Sequence, residues 1–422
     1  MKVSVFKGDV SGRLRAPASK SYTIRGLMCA ALAQGESQIM HPLSSDDIEA
    51  ALNVLRNIGV QISGGGEGLW RITGNSFHEP KTELYCGDSA ATLRFMTAIC
   101  SLVPGECQLT AGPSLARRPL KPLVQALKQL GVDCSAQGEV APVTVRGGQL
   151  KGGTTELAGD ISSQFVSALL LIAPLAEEGV QIRLTTPLES KPYVMMTLEC
   201  LENFGIEVKA SPNLREFNTA PQAYQPARYP VEGDWSSASY LLALGALSGP
   251  VTVANLNPAS LQGDRVLLNL LKEMGAKFDI DKNTVTVRKS GLNALKANLS
   301  NCIDLLPTMA VLAAVAEGVS EFTGIERARI KESNRVLAVR EGLEKMGVVV
   351  REARDRLIVT GTTPKGAIID PKNDHRIAMA FGVLGTVTEE TVISDAECVA
   401  KTYPEFWEAL RSIGGKVKED DK

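Results

Sequence analysis

The sequence predicts a two-domain α/β protein that is built from six copies of one small α/β unit. Three observations predict this class. A helix that ends in glycine and leads into a strand recurs about every 70 residues, and a polar helix start followed by a long apolar helix recurs with the same period. A proline-rich stretch separates the third copy from the fourth. Self-similarity at a fixed period is typical of repeat architectures.

The first recurring phrase is a glycine that stands directly after an amphipathic helix. Glycine at this position adopts the left-handed conformation that closes the helix, after which the chain turns into a strand. The six glycines are Gly59, Gly131, Gly205, Gly275, Gly347 and Gly414. Six helix closures with one period predict six repeats.

The second recurring phrase is a cluster of small or polar residues before an apolar helix. Ser, Asp and Asn are preferred helix N-caps, and a helix that is apolar all round is expected to be buried. The clusters begin at Ser19, Gly87, Gly159, Gly233, Asp304 and Asn373. One such cluster predicts only a cap, whereas six of them predict a buried helix in each repeat, with its N-terminus open on a loop.

The repeats define the expected domain boundaries. We expect a first domain over residues 15–230 and a second over residues 1–14 plus 231–422. Residues 211–230 contain four prolines and are interpreted as a linker or long loop, while Lys2 to Val10 is expected to form one strand ahead of the first repeat. Two similar halves indicate a cleft between them, so we expect the active site in this interdomain cleft.

Composition excludes several classes of function. The net charge of −2 provides no bulk field that would attract nucleic acid or a membrane. The longest apolar run, Val166 to Ala176, is far shorter than the roughly 20 residues that span a bilayer. The eight cysteines are scattered, which favours reduced thiols in a cytosol. The N-terminus is predicted to be a strand and not a signal peptide, so we expect a cytoplasmic location.

Cationic residues stand near the predicted starts of the buried helices. Lys20 and Arg25 flank Ser21, and Lys331 lies four residues before Arg335. Taken singly, each cation is better explained as a solvated charge or a surface ion pair. Together with helix N-termini, however, such residues make strong sites for phosphate and carboxylate. Gly64-Gly65-Gly66 is interpreted as a hairpin turn, because no Gly-Lys-Ser/Thr follows it.

The motifs taken together resemble those of the 5-enolpyruvylshikimate-3-phosphate (EPSP) synthase family over the whole chain. The matching segments are Ala18–Arg25, Gly87–Arg94, Arg118–Pro119, Ser162–Phe165, Ser190–Tyr193, Glu232–Ala238, Asp304–Pro307, Arg329–Ser333, Asp374–Arg376 and Lys401–Pro404. The resemblance implies the enolpyruvyl transferase fold, an inside-out α/β barrel in which each of two domains has three βαβαββ units. It also implies transfer of the enolpyruvyl group of phosphoenolpyruvate to 3-phosphoshikimate in the shikimate pathway, which leads to chorismate and the aromatic amino acids.

The resemblance further implies a role for each matching residue. The residues expected to bind 3-phosphoshikimate are Lys20, Ser21, Arg25, Ser162, Ser163, Gln164, Ser190, Tyr193, Asp304 and Lys331. Those expected to bind phosphoenolpyruvate are Lys20, Ala90, Arg118, Gln164, Arg335, His375, Arg376 and Lys401. Catalysis is assigned to Lys20, Asp304, Lys331 and Glu332. No metal or organic cofactor and no nucleic-acid or membrane partner is expected, and the chain is expected to be a monomer.

Four residues at three places depart from the family pattern. Ala90-Ala91 stands in place of Gly-Thr, which bears on how the inhibitor glyphosate fits. Asn334 replaces an aspartate and removes a charge beside the expected phosphoenolpyruvate site. Arg327 replaces Asn or Glu, which puts one contact to the shikimate ring in doubt.

Two alternatives remain open at this stage. The UDP-N-acetylglucosamine enolpyruvyl transferases share the fold, but that family has Asn where this chain has Ser21 and a cysteine in the loop before its Arg-Pro. Residues 112–117 of this chain contain no cysteine. The other alternative is an inactive homologue that only binds ligand, against which Lys20, Asp304 and Glu332 speak.

Overall fold

The computed structural model describes residues 1–65, 68–74 and 76–420, and the chain divides into two compact units. One unit is contiguous and comprises Ala18–Glu232. The other joins Met1–Pro17 to the chain from Gly233 onward. We call them the inserted unit and the split unit.

The described strands and helices alternate along the chain. The strands are β1 (Lys2–Phe6), β2 (Gly12–Arg15), β3 (Gly35–Met40), β4 (Gln61–Gly64), β5 (Leu69–Gly74), β6 (Leu84–Tyr85), β7 (Gly105–Thr110), β8 (Asp133–Gln137), β9 (Val140–Gly147), β10 (Gly153–Leu157), β11 (Val180–Leu184), β12 (Lys209–Ala210), β13 (Glu216–Thr219), β14 (Arg228–Pro230), β15 (Val251–Ala254), β16 (Lys277–Asp281), β17 (Thr284–Arg288), β18 (Lys296–Asn298), β19 (Val319–Thr323), β20 (Val349–Ala353), β21 (Arg356–Thr360), β22 (Ile368–Ile369), β23 (Glu390–Ile393) and β24 (Lys416–Asp420). The α-helices are α1 (Lys20–Leu32), α2 (Asp46–Asn57), α3 (Ala90–Ile99), α4 (Lys121–Gln129), α5 (Ser163–Ile172), α6 (Lys191–Asn203), α7 (Trp235–Ser248), α8 (Leu267–Glu273), α9 (Leu306–Val315), α10 (Arg335–Lys345), α11 (His375–Gly385) and α12 (Phe406–Ser412).

Six four-stranded sheets confirm the predicted sixfold repeat. In each sheet the first strand is parallel to the second, and the fourth strand lies between the second and the third and is antiparallel to both. In chain order of the repeats, the sheets are β14-β3-β5-β4, β6-β7-β9-β8, β10-β11-β13-β12, β2-β15-β17-β16, β18-β19-β21-β20 and β22-β23-β1-β24. Each repeat is therefore a βαβαββ unit.

Three of the sheets are completed by a strand from a distant part of the chain. β14 supplies the first strand of repeat one, and β2 supplies the first strand of repeat four. β1 supplies the fourth strand of repeat six, where it pairs with both β23 and β24. The start of the chain thus belongs to the split unit.

The predicted glycine closures are present in all six repeats. Each of the six glycines has a positive φ, between 78° and 104°. In each repeat the leucine four residues before the glycine accepts, with its carbonyl, the N–H of the residue that follows the glycine. Examples are Val60 N–H to the Leu55 carbonyl at 3.1 Å and Ala276 N–H to the Leu271 carbonyl at 2.9 Å. This bond closes the helix in a Schellman motif, for which only glycine avoids a steric penalty.

The helices that follow the polar clusters are buried, as predicted. Helices α1, α3 and α5 contribute to the core of the inserted unit, and α7, α9 and α11 to that of the split unit. In α7 every residue is buried. The core of each unit is therefore built around three central helices.

One expectation about an irregular segment is wrong. Residues 211–230 are not a linker, because they contain β13 and β14. Their prolines flank these short strands, and Pro230 lies on an edge strand, where a missing N–H is tolerated. The expected strand from Lys2 to Val10 is present as β1, but it is shorter and ends at Phe6.

The remaining expectations concern the surface and the thiols. Gly64 is the last residue of β4, the first strand of the β4–β5 hairpin, while Gly66 lies outside the described residues. Within residues 1–65, 68–74 and 76–420, no helix is both long and apolar enough to cross a bilayer. All eight cysteines are free thiols, and seven are buried.

Candidate active site

Lys20 lies at the start of α1 and forms an ion pair inside the inserted unit. Its Nζ lies 2.8 Å from Oδ2 of Asp47, which is only 4% exposed. Ser19 caps α1 by accepting the N–H of Tyr22, so the helix start that carries Lys20 and Ser21 is fixed by its own first turn. Lys20 is 20% exposed and remains accessible at its outer end.

Arg25 connects α1 to α6. Its Nε donates to Thr197 Oγ1 at 2.8 Å, and its Nη2 donates to the carbonyl of Tyr193 at 3.0 Å. The guanidinium also lies 5.4 Å from the centre of the Phe95 ring. Burial lowers the pKa of Arg25. These contacts bring Arg25 and Tyr193, both predicted to bind 3-phosphoshikimate, into one cluster.

Arg94 connects α3 to the start of α5. Its Nη1 donates to Ser162 Oγ at 3.1 Å and to Gln164 Oε1 at 2.7 Å, and its guanidinium lies over the Phe165 ring at 4.9 Å. Ser162 also caps α5 by accepting the N–H of Gln164. The structure therefore places two predicted ligands beside a buried cation.

The other predicted residues of the inserted unit also lie at helix starts or next to them. Ser163 begins α5, and Ser190 is the N-cap of α6 in a left-handed conformation with φ of 53°. Ala90 is the first residue of α3 and is 9% exposed. Arg118 is 6% exposed and follows a turn whose N–H groups at Ser114 and Leu115 donate to Asp88.

In the split unit, Asp304 lies among three cations. Its Oδ1 is 2.6 Å from Arg335 Nη1 and 3.6 Å from Lys331 Nζ, and its Oδ2 is 3.2 Å from Arg376 Nη2. Burial alone would raise the pKa of Asp304, but the charges of Arg376, Lys331 and Arg335 outweigh burial and hold this pKa well below its usual range. Asp304 is therefore ionised at neutral pH.

Arg335 is the centre of this cluster. It is 1% exposed and contacts three carboxylates, with Nε 2.8 Å from Asp374 Oδ2, Nη1 2.6 Å from Asp304 Oδ1 and Nη2 2.5 Å from Glu332 Oε2. Burial would lower the pKa of Arg335, but the three carboxylates raise it further above its ordinary value. The guanidinium of Arg335 already binds three carboxylates of the protein. An incoming anion must therefore share this guanidinium with the carboxylates or displace them.

Lys331, Glu332 and Lys401 complete the cluster. Lys401 Nζ lies 3.9 Å from Glu332 Oε1. Burial lowers the pKa of Lys331, as does the charge of Arg335, while Asp304 opposes both. His375, which is 1% exposed, lies with Nδ1 3.9 Å from Asp374 Oδ1. The structure thus brings together every residue of the split unit that the sequence predicted.

The buried helices of the two units start differently. The N-caps of α1, α3 and α5 are Ser19, Ser89 and Ser162. In the split unit, Asp234 and Asp374 cap α7 and α11, and Asp304 lies two residues before α9. A helix N-terminus attracts anions, but in the split unit it already has a carboxylate of its own. Anion binding in the split unit therefore depends on its Arg and Lys side chains.

Sequence reasoning missed three residues that hold the site in place. Asp47 reads as an ordinary acidic residue in the first turn of a helix, and Arg94 and Asp374 were noticed only as parts of motifs. Of the departures from the family pattern, Asn334 caps α10 by accepting the N–H of Leu337 at 3.2 Å. Arg327 Nη2 donates to the carbonyl of Ser300 at 2.7 Å.

Comparison with known proteins identifies the class. Residues 6–410 match the family described as EPSP synthase (3-phosphoshikimate 1-carboxyvinyltransferase). The chain belongs to this family.

Relatives and solved structures agree with this assignment. A 3-phosphoshikimate 1-carboxyvinyltransferase of Dehalococcoides mccartyi is 50% identical over 421 residues, covering 100% of both chains. One from Methanothermobacter thermautotrophicus is 40% identical over 422 residues and 99% of both. A solved EPSP synthase of Acinetobacter baumannii superimposes with a TM-score of 0.83 at 26% identity, covering 99% of this chain and 100% of that one.

Proposed function

We propose that this chain transfers the enolpyruvyl group of phosphoenolpyruvate to the 5-hydroxyl of 3-phosphoshikimate, giving 5-enolpyruvylshikimate 3-phosphate and inorganic phosphate. Family membership over residues 6–410 supports this reaction over transfer to UDP-N-acetylglucosamine. The observation that carries the proposal in the structure is Asp304, a carboxylate only 13% exposed that contacts Arg335, Lys331 and Arg376.

Electrostatics explain why such a cluster suits two anionic substrates. Both substrates carry phosphate and carboxylate groups, so their mutual repulsion must be overcome before the reacting atoms meet. The split-unit cluster contains four cations, Lys331, Arg335, Arg376 and Lys401, and three carboxylates, Asp304, Glu332 and Asp374. Its formal charge is thus 4 − 3 = +1, and planar guanidinium groups bind carboxylate and phosphate with fixed orientation.

We assign the residues of the inserted unit to 3-phosphoshikimate. Ser162, Ser163 and Ser190 are neutral donors at helix starts, which suits a phosphate. Arg25 and Tyr193 lie together and suit the carboxylate and the ring. Lys20 is assigned to both substrates, and we propose that residues of both units take part in one reaction.

The chemistry requires one proton to leave and another to arrive. In the addition step, the 5-oxygen loses its proton and bonds to C2 of phosphoenolpyruvate, while the methylene carbon C3 gains a proton. In the elimination step, C3 loses a proton and the bond from C2 to the phosphate oxygen breaks. A base and an acid on opposite sides of the reacting bond perform both steps.

The low pKa of Asp304 constrains how it can act as a base. Its three cationic neighbours keep it ionised and make it a weak proton acceptor. When the anionic groups of phosphoenolpyruvate engage Arg335 and Arg376, their negative charge offsets the field of these cations. The proton affinity of Asp304 then rises at the moment when the 5-hydroxyl must lose its proton. Glu332 and Lys331 are assigned to proton transfer at C3.

The proposal extends to the surroundings of the reaction. The enzyme is proposed to act as a cytoplasmic monomer without a metal or organic cofactor and without nucleic-acid or membrane partners. Gel filtration with light scattering tests the oligomeric state, and activity after treatment with EDTA tests the independence from metal.

The decisive experiment measures release of inorganic phosphate from phosphoenolpyruvate. We expect release with 3-phosphoshikimate and none with UDP-N-acetylglucosamine in a parallel reaction. Release with the second acceptor alone would identify the other transferase. Tight binding of phosphoenolpyruvate without release in either reaction would indicate a homologue that only binds its ligand.

A further inference from the structure

In each sheet, the residue just before the fourth strand accepts a hydrogen bond from a backbone N–H of a neighbouring loop or strand end. In five repeats it does so with its backbone carbonyl, as Gly68 accepts the N–H of His41 and Asn283 accepts the N–H of Leu256. The other three pairs are Glu139 with Leu120, Arg215 with Leu184, and Met1 with Ala396. This position is thus a recurring anchor of the fold.

In repeat five the anchor is a side-chain carboxylate. Asp355, just before β21, accepts three successive backbone N–H groups. Its Oδ2 accepts from Gly324 at 3.1 Å, and its Oδ1 accepts from Ile325 at 2.6 Å and from Glu326 at 2.8 Å. A carboxylate that accepts backbone N–H groups forms short, strong, charge-assisted hydrogen bonds.

A second set of contacts holds the same segment. Arg329 Nη1 donates to Glu352 Oε1 at 2.8 Å, and its other nitrogens donate to the carbonyls of residues 353 and 354 at 2.6 and 3.0 Å. In return, Arg354 Nε donates to Glu326 Oε1 at 2.7 Å. The tip of the β20–β21 hairpin therefore holds residues 324–330 from several directions.

This segment leads directly to the two residues assigned to proton transfer at C3. A 3-10 helix covers Glu326–Ile330, and Lys331 and Glu332 follow it at once. Beyond them, Ser333 Oγ donates to Asp374 Oδ2 at 3.0 Å, and Asn334 caps α10. The pair is thus held on its C-terminal side by the cluster and on its N-terminal side by the hairpin tip.

We propose that Asp355 is a positioning residue for the transfer reaction, which acts by fixing the segment that presents Lys331 and Glu332. The inference rests on the proposed function. Asp355 is itself exposed and takes part through the backbone of residues 324–326. At the six anchor positions, all within the described residues, Asp355 is the one whose carboxylate accepts backbone N–H groups, and it stands in the repeat that carries Lys331 and Glu332.

The test compares Asp355→Ala and Asp355→Asn with Asn283→Ala. The last is a matched control, because the acceptor at that anchor is the backbone carbonyl and survives loss of the side chain. A displacement of about 1 Å at a reacting group costs up to about 10²-fold in rate. We therefore expect Asp355→Ala to lower kcat roughly 10- to 100-fold. Asp355→Asn, which keeps one acceptor oxygen, should fall between Asp355→Ala and wild type.

The Michaelis constant separates positioning from general damage. The KM for 3-phosphoshikimate should change less than kcat, because its predicted serine ligands lie in the inserted unit and only Lys331 among its predicted ligands follows the affected 3-10 helix. Deuterium uptake at the amides of residues 324–332 should rise in Asp355→Asn. If the alanine variant does not fold, the kcat and the deuterium uptake of Asp355→Asn test the positioning role. A lower melting temperature with unchanged kcat would make Asp355 a stability residue only and overturn the proposal.

Failure of this inference can be distinguished from failure of the proposed function. If wild type releases no phosphate, the transfer reaction is wrong whatever Asp355 does. If wild type is active and Asp355→Ala matches Asn283→Ala in kcat, the transfer reaction stands and the positioning role is wrong.

Discussion

Lys20 Nζ and Asp47 Oδ2 lie 2.8 Å apart, so the cation assigned to both substrates is paired with a buried acid of its own unit. Asp47 is 4% exposed, and its helix α2 follows the loop after β3. A charged lysine is flexible and strongly hydrated. The buried carboxylate therefore defines where the ammonium group lies.

We expect Asp47→Asn to lower kcat by about tenfold, because Lys20 loses the charge that orients it. Asp46→Asn is the matched control, since Asp46 lies in the same helical turn but is exposed. Steady-state kinetics of both variants check the expectation. Equal effects would point to the helix dipole and not to the ion pair.

Removing the carboxylate of either Asp304 or Glu332 should abolish most of the turnover. Glu332→Gln and Asp304→Asn keep size and much of the hydrogen bonding but remove a carboxylate, so we expect kcat to fall roughly 10²–10⁴-fold. The exposed Glu344→Gln on α10 serves as control. Near wild-type turnover in either variant would remove that residue from proton transfer.

Asp264 should make stability depend on pH. It is 2% exposed and accepts the hydroxyl of Ser236 at 2.5 Å. Burial, assisted by the charge of Asp304, raises the pKa of Asp264 to about 7. Since the unfolded value is about 3.9, the folded state holds an extra proton between these pH values, and stability falls as pH rises through this window.

The variant Asp264→Asn should remove this dependence. Its melting temperature relative to wild type should rise by several degrees between pH 4.5 and 7 and then level off, at roughly 2–4 °C per kcal/mol. Thermal unfolding over this pH range provides the measurement, with the exposed Asp281→Asn as control. A difference that does not change with pH would contradict the raised pKa.

Ala90 should affect inhibition by glyphosate. Its β-carbon adds a methyl group at the first residue of α3, where the family has glycine, and overpacking of that size costs roughly 1–3 kcal/mol. Glyphosate is longer than phosphoenolpyruvate, so we expect Ala90→Gly to lower its inhibition constant by roughly 5- to 150-fold, with a smaller change in the KM for phosphoenolpyruvate.

Ala91→Gly separates space from helix propensity in this experiment. It lies in the same turn and carries the same propensity cost of about 1 kcal/mol. If both glycine variants change glyphosate inhibition equally, or neither does, the steric argument is wrong.

The sequence predicted the repeats because the glycine after one helix and the polar cluster before the other are local sequence patterns that recur in each repeat. The cations of the split unit were also predicted individually, and the structure joins Arg335 to Asp304 and Glu332. Asp47 and Asp355 could not be predicted, since each acts on residues that are distant in sequence and leaves no local signal. The linker prediction for residues 211–230 was wrong because proline occurs at strand ends as well as in loops.

The position of β1 determines which unit can complete its sheets first during synthesis on the ribosome. Its partners, β23 and β24, lie between Glu390 and Asp420, so β1 remains unpaired until these residues have been made. The inserted unit is contiguous from Ala18 to Glu232 and has all its strands well before then. A nascent chain can therefore complete the inserted unit early, while β1 of the split unit still has an unpaired edge.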